Sequence, residues 1–364
     1  MTHLRHVLVI ACSAVLAPLA MQAGPRDIVL HPTDASLAEP FTRIYSIREL
    51  ADGRVLISDN SSETRLVVAD LRRNVVRTLG QQGSGPGEYR LAGRLFALPH
   101  DSTLFIDAAR GRRWLVLAGD SIVRTLPPDD PAVANAGDVF GTDTAGHVLG
   151  LRLGGADRLS GDFSRLHHLA VLASRRGAKP DTLLRLRGYD QRTRTNRQRT
   201  FAVMTMLNGS AEEQVQLFPD GWISFVRVQP YRVEWRSPDG NVTRGPDLPW
   251  EAPRSNAVER RAYAERHRKR YGADAEIPDF PWSDRLAPIR SGSHGTPEGL
   301  ILIAKSQWSR VTDTRYDLVD RSGRLAGRLV LPDSERVVGF GAHSVFVAIT
   351  DSDGFQQLRR HPWP

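Results

Sequence analysis

Apolar and polar residues alternate along much of this chain in short runs separated by Asp and Gly turns, and the runs come in sets of four. In the clearest set, Arg43–Leu50 passes through the turn Ala51, Asp52, Gly53 into the apolar run Arg54–Ser58, followed by Arg65–Asp70 and Val75–Leu79. Alternation with a period of two marks strands, and tight turns join consecutive strands antiparallel. The set predicts one four-stranded sheet. It recurs as Gly93–Leu98, Thr103–Asp107, Arg113–Ala118 and Ile122–Leu126, with Gly53 and its counterpart Ser102 lying 49 residues apart. A third set starts at Asp138 and continues through His147–Leu151, Leu166–Leu172 and Thr182–Leu186. The fourth comprises Gln214–Phe218, Trp222–Val226, Tyr231–Arg236 and Asn241–Arg244, and the fifth Asp284–Arg290, Leu300–Lys305, Arg315–Asp320 and Arg324–Leu331. The sixth offers Arg336–Phe340, Ser344–Thr350 and Phe355–His361 but no fourth run.

A single such sheet cannot bury both of its faces, whereas sheets packed radially face to face can, and closing the ring removes exposed edges. The run Asp27–His31 at the other terminus is available as the missing strand. The pattern therefore predicts an all-β chain, a six-bladed β-propeller closed by an N-terminal strand, in one domain over residues 24–364. Two insertions lengthen the pattern, at about 187–210 and 250–283. The second carries one short helix, Ala257–Tyr271, opened by a capping box of Asn256 and Glu259 and stopped at Gly272.

Composition narrows the picture further. With 364 residues, 40% hydrophobic and 25% charged, the chain is no collagen, coiled-coil rod or disordered polymer. Residues 1–23 place Arg5 before the apolar stretch Val7–Ala20 and end in small residues, the layout of a signal peptide, which predicts a periplasmic or secreted protein. That stretch is too short to span a bilayer, and no transmembrane segment is expected in the mature chain. Cys12, following Val9, Ile10 and Ala11, leaves open a lipoprotein anchored there. It is the only cysteine, so its removal with the leader would exclude disulfides and thiolate chemistry. The net charge of +8 comes from 49 basic residues of which only Lys179, Lys269 and Lys305 are lysine. Arginine spread through the whole chain is not a nucleic-acid footprint, and no nucleic-acid partner is expected.

The segments IRELADGRVLISD (47–59), RLVVAD (65–70) and GQQGSGPGEYR (80–90) resemble the NHL-type, TolB-like six-bladed propellers. More narrowly, they are similar to the exported bacterial 6-bladed β-propeller family, which carries a GxGPGEF-like turn, here Gly83–Tyr89, and a last-strand signature loosely matched by Asp351–Leu358. The resemblance covers roughly 27–361 and implies architecture and export. It brings no catalytic residue, because no catalytic motif is present to receive one.

The candidate chemistry is sparse. Gly83, Gly85 and Gly87 lack the following GK[ST] and helix of a phosphate loop and read as a turn. Asp59, Asp70 and Asp107 end strands, where they could supply oxygen ligands to a divalent ion or accept hydrogen bonds from turn amides. Asp351, Ser352, Asp353 and Gly354 begin like a calcium loop but lack its closing glutamate, Pro362 standing there, and read as a hairpin turn. His167 and His168, adjacent on a strand, point to opposite faces. There is no HExxH and no GxSxG. The arginine-rich stretches 185–199 and 254–270 suit carboxylates or phosphates. These readings favour a non-catalytic binding or scaffold module with no cofactor and no metal, a monomer that recognises a protein partner or an anionic ligand such as an envelope glycan. Arg48, Glu88, Arg90, Trp282, Arg290 and Trp308 are its candidate ligand-binding residues. The rival is a metal-dependent propeller hydrolase or lactonase, or an NHL-type lyase, using axial carboxylates. Three or four Asp, Glu, Asn or His side chains meeting at the channel centre would favour the enzyme, and an apolar and arginine lining the binder.

Overall fold

The computed structural model describes residues 25–61, 63–109, 113–153, 165–174, 179–195, 202–206, 211–272, 274, 282–290, 292–307 and 313–364. Residues 1–24, which include Cys12, and Trp308 lie outside the described residues. Two short N-terminal strands, β1 (Arg26–Ile28) and β2 (Ala35–Ser36), precede the first blade, β3 (Ile44–Glu49), β4 (Val55–Asp59), β5 (Arg65–Asp70) and β6 (Val75–Leu79). A small parallel ribbon of β7 (Gln81–Gln82) and β8 (Glu88–Tyr89) leads to blade 2, made of β9 (Ala92–Ala97), β10 (Ser102–Asp107), β11 (Arg113–Ala118) and β12 (Ser121–Leu126). Helix α1 (Pro131–Ala136) follows, with the Asp130 side chain accepting the Ala132 N–H at its start. Blade 3 has five strands, β13 (Asp138–Thr142), β14 (His147–Leu153), β15 (Arg165–Ser174), β16 (Asp181–Thr195) and β17 (Ala202–Met206). Blade 4 is β18 (Gln214–Leu217), β19 (Ile223–Val228), β20 (Tyr231–Arg236) and β21 (Val242–Arg244). Helix α2 (Ala257–Tyr271) then leads to blade 5, β22 (His294–Gly295), β23 (Ile301–Ala304), β24 (Asp313–Val319) and β25 (Leu325–Pro332). Blade 6 is β26 (Glu335–Phe340), β27 (Ser344–Thr350) and β28 (Gln356–Pro362).

The six sheets form a six-bladed β-propeller, and its core is divided into six parts, one between each pair of neighbouring blades. The second strand of each blade shows why. In β4, Val55 and Ile57 pack with Phe346, Ala348 and Leu358 of blade 6, while Leu56 packs with Leu95, Phe105 and Leu115 of blade 2. Successive side chains on a strand face opposite ways, so a strand buried on both faces reads as a continuous apolar run, here Val55–Ile57. All five residues of β4 are indeed buried. In blade 6 Val345 and Val347 likewise serve the cluster shared with blade 5, and Phe346 and Ala348 the cluster shared with blade 1. Each such aliphatic side chain contributes about 2 kcal/mol by leaving water.

Two elements differ from the sequence pattern. Residues Asp27–His31 do not complete blade 6: β1 lies parallel to β25 as an outer fifth strand of blade 5, and β2 closes blade 6 antiparallel to β28. Asp34 fixes that register by accepting Arg360 Nε and Nη2 at 3.0 and 3.1 Å. In blade 5 the run Asp284–Arg290 forms only bridges, Arg285 to Arg254 and Ile289 to Lys305, and the innermost strand is His294–Gly295. Pro288 has no N–H to continue a ladder. Helix α2 has the expected bounds, Asn256 Oδ1 accepting the N–H groups of Val258 and Glu259. Among the described residues no helix is long and apolar enough to cross a membrane.

Candidate functional site

The innermost strands β3, β9, β13, β18, β22 and β26 stand side by side around the axis. Every blade repeats the same antiparallel order, so all six innermost strands run in one direction and their N-terminal ends gather at one mouth of the channel. The residues at those ends come from positions far apart in sequence: Arg43, Arg94, Asp138, Glu212, Arg290, His294 and Arg336.

Four of these are arginines, and the fold gives the side chains of Arg43, Arg94 and Arg336 neutral partners. Arg336 donates through Nη2 to the carbonyl of Ile44 in the next blade and, at 3.0 Å, to Gln356 Oε1. Arg94 repeats the arrangement two blades on, with Nη1 donating to Val139 O at 3.1 Å and the guanidinium lying 4.1 Å from the Phe140 ring centre. Arg43 lies 5.7 Å over the exposed ring of Tyr45. Arg290 is exposed, its N–H bonded to Ala304 O and its carbonyl accepting Gln214 Nε2 at 2.7 Å. Among the described residues none of the four makes an ion pair within 4.0 Å. Burial lowers the Arg336 pKa, with the neighbouring charges of Arg43 and Arg290 adding to the effect. The group nevertheless stays charged, because guanidinium does not lose its proton in proteins.

His294 lies in the same mouth. Burial, then the charge of Arg336 and more weakly that of Arg94, pulls its imidazole down to about 4, so it is neutral at physiological pH. The buried Tyr316 oxygen accepts the Val337 N–H at 3.0 Å, and burial raises its phenol pKa. An anion about 4 Å from one guanidinium would gain about 4 kcal/mol at an effective dielectric of about 20.

The entries to blades 3 and 4 carry carboxyl groups, Asp138 and Glu212. Burial pushes the Glu212 carboxyl above its ordinary range, Arg94 pulls against this, and Asp138 adds to it. His168 Nε2 approaches Glu212 Oε2 at 3.7 Å. Among the described residues no three His, Cys, Asp or Glu side chains gather as a metal-ligand group.

Of the residues singled out from sequence, Arg290 lies in this mouth. Arg48 is near the far end of β3, at the opposite mouth, and pairs with Asp101 at 2.9 Å. Its Nε and Nη1 are buried without a hydrogen-bond partner among the described residues. Glu88 accepts Gly85 N–H and Gln81 Nε2, each at 2.6 Å, and Arg90 Nε donates to Ser84 Oγ at 2.8 Å, so both brace the glycine turn. Arg113 donates to the carbonyls of Gly83, Ser84 and Glu88 in that turn. Trp282 meets the ring of Tyr263 on α2 edge-on at 5.7 Å and lies 5.8 Å from the Arg260 guanidinium. Asp59 accepts the N–H groups of Thr42 and Arg43, and Asp107 those of Arg90, Leu91 and Ala109. Asp70 and Asp351 likewise accept amides of their own turns. Sequence reading missed Arg43, Arg94, His294, Arg336, Asp138 and Glu212 as a group. The available signal was positional, since Arg43, Asp138 and Arg336 each open the first run of a repeat.

No protein-family model matches the chain, and no curated protein does. Among solved structures it is similar to a Bacteroides fragilis protein inferred to be exported, at 12% identity over 93% of this chain and 94% of that one, with a TM-score of 0.49. It is similar also to the calcium-binding protein regucalcin of Agrobacterium tumefaciens, at 10% identity over 91% and 96% of the two chains and a TM-score of 0.39. A third likeness is to virginiamycin B lyase of Staphylococcus aureus, at 9% identity over 90% and 98% and a TM-score of 0.41. Likenesses at this level carry no argument about function.

Proposed function

We propose that the protein is an exported, non-catalytic binding module that holds an anionic group, carboxylate or phosphate, at the channel mouth where its innermost strands begin. One observation carries the reading: Arg43, Arg94 and Arg336 come to that mouth from three blades with carbonyls, an amide and aromatic rings as the partners of their guanidinium groups, and the exposed Arg290 stands beside them. Guanidinium groups held this way present unneutralised charge and a planar fork that matches an oxyanion. His294, neutral beside them, can donate or accept a hydrogen bond without adding to the charge. The ring of blades holds the set rigidly, which lowers the ordering cost of binding.

Thermal unfolding of residues 24–364 at low ionic strength tests this with inorganic phosphate, citrate and galacturonate oligomers. At least one is expected to raise the midpoint, since a ligand at one hundred times its dissociation constant stabilises by about 2.7 kcal/mol. Arg290→Gln and Arg336→Gln should each weaken that binding roughly ten-fold or more, as loss of a charge-assisted hydrogen bond costs about 1.5–3 kcal/mol. Added salt should weaken it too. A midpoint that ignores all three anions and rises with Ca²⁺ or Mg²⁺ would overturn the reading in favour of a metal-dependent enzyme.

A further inference from the structure

A bulge in the innermost strand of blade 1 leaves one side chain outside the packing of the ring. Ile44 pairs with Asp59 and Ser46 with Ser58, so Tyr45 has no partner on β4. The extra residue sends Ile44 and Ile47 to the same side, into the apolar cluster shared with blade 6. On the other side Ser46 Oγ accepts the Leu95 N–H of blade 2 at 3.0 Å. Neither gap between blades takes Tyr45, and the residue is 37% exposed. Its hydroxyl has no hydrogen-bond partner among the described residues. Bulges re-aim side chains beside functional sites in this way.

The fold brings charge to the same spot. Arg336 Nη2 donates to the carbonyl of Ile44, in the peptide that joins Ile44 to Tyr45, and at 3.0 Å to Gln356 Oε1. Gln356 Oε1 also accepts the Ile44 N–H at 2.8 Å, so it fixes Arg336 against blade 1 without neutralising it. Arg43 lies 5.7 Å over the Tyr45 ring. An oxyanion held by Arg336 is thereby seated beside an exposed aromatic ring, and the rest of the ligand meets that ring.

An arene and a sugar both suit a ring and a cation together. An arene gains most in a mostly apolar pocket, whereas Tyr45 offers a single exposed ring among arginines, a carboxamide and its own hydroxyl. A pyranose has a face of C–H groups to lay on the ring and hydroxyls on its rim to meet those polar groups. Resting on the reading of the mouth as an anion site, we propose that its ligand is a pyranose acid, a hexuronate. Its carboxylate is held by Arg336, and its sugar ring stacks on the face of Tyr45 that Arg43 leaves open.

Calorimetric titration at low ionic strength with galacturonate and glucuronate tests this against benzoate and against gluconate, an open-chain sugar acid of equal carbon number and charge. At least one hexuronate is expected to bind about ten-fold tighter, or more, than gluconate and benzoate. Tyr45→Ala should remove the advantage over gluconate and leave gluconate binding within about two-fold, whereas Tyr45→Trp, which restores a ring, should keep it. Arg336→Gln should weaken all these acids. Melting curves of each variant report that it is folded. Equal binding of the hexuronates and gluconate, or an advantage that survives Tyr45→Ala, overturns the sugar platform and leaves the anion site standing. Tighter binding of benzoate than of either hexuronate overturns the sugar in favour of an aromatic acid. Failure of all these acids together with inorganic phosphate and citrate overturns the anion site itself.

Discussion

An arginine side chain taken out of water keeps its charge, so its surroundings must supply hydrogen bonds, a counter-ion or both. Arg336 receives hydrogen bonds alone, and the field it leaves is felt by His294. The folded imidazole has its pKa lowered to about 4, against 6.5 for a free ring. Between those values the unfolded chain binds a proton that the folded chain does not, so stability rises with pH through the window and is lost on acidification from about 6.5 towards 4. For this half-buried ring the loss amounts to roughly 2–3 kcal/mol. Urea unfolding at pH 7, 5.5 and 4.5 checks it: His294→Asn should flatten the decline relative to the native chain, and an unchanged decline would show that His294 does not titrate in this way. At this scale the sequence was least informative. Arg290 could be singled out, but its companions are ordinary arginines scattered among 49 basic residues, and only the ring places them together.

At the scale of the strand and its turn, one device recurs in blades 1 and 2. An aspartate ends the second strand, accepts the amides that lead into the innermost strand, and is held by an arginine that opens the third: Asp59 with Arg65 at 3.4 Å, Asp107 with Arg113 at 3.1 Å. Asp107 is almost fully buried, so its removal strands the Arg113 charge and leaves the N–H groups of Arg90 and Leu91 without their acceptor. Asp107→Ala is expected to destabilise by about 3 kcal/mol in chemical denaturation. A loss under 1 kcal/mol would show the aspartate to be dispensable. Strands were legible wherever both faces are buried, because runs such as Val55–Ser58 and Ser344–Ala348 admit little else. The short β2 was not legible, since Ala35 and Ser36 owe their pairing to the Asp34–Arg360 ion pair some 326 residues apart in sequence. Blade 5 misled for a local reason: Pro288 interrupts an apolar run that otherwise reads as a strand.

On the scale of the whole molecule, six separate apolar clusters mean that each blade depends on two neighbours, and the ring is only as secure as its seam. That seam is held twice by the N-terminal segment, through β1 on blade 5 and β2 on blade 6. Deleting residues 24–36 should lower amide protection in β27 and β28 towards that of loops, while β10 and β11 retain theirs, as read by hydrogen exchange. Equal protection in both regions would mean that the apolar cluster between blades 6 and 1 closes the ring unaided. The double clasp also bears on where the polypeptide needs to start. Residues 35 and 36 pair with 360 and 359, so the first and last segments are neighbours in one sheet, and a short linker could join them. A ring of equivalent units has no privileged beginning. Circularly permuted chains opened at another blade-to-blade turn, such as the exposed residues around Gln81, would then bring the same inner-strand ends to the same mouth in a different order of synthesis.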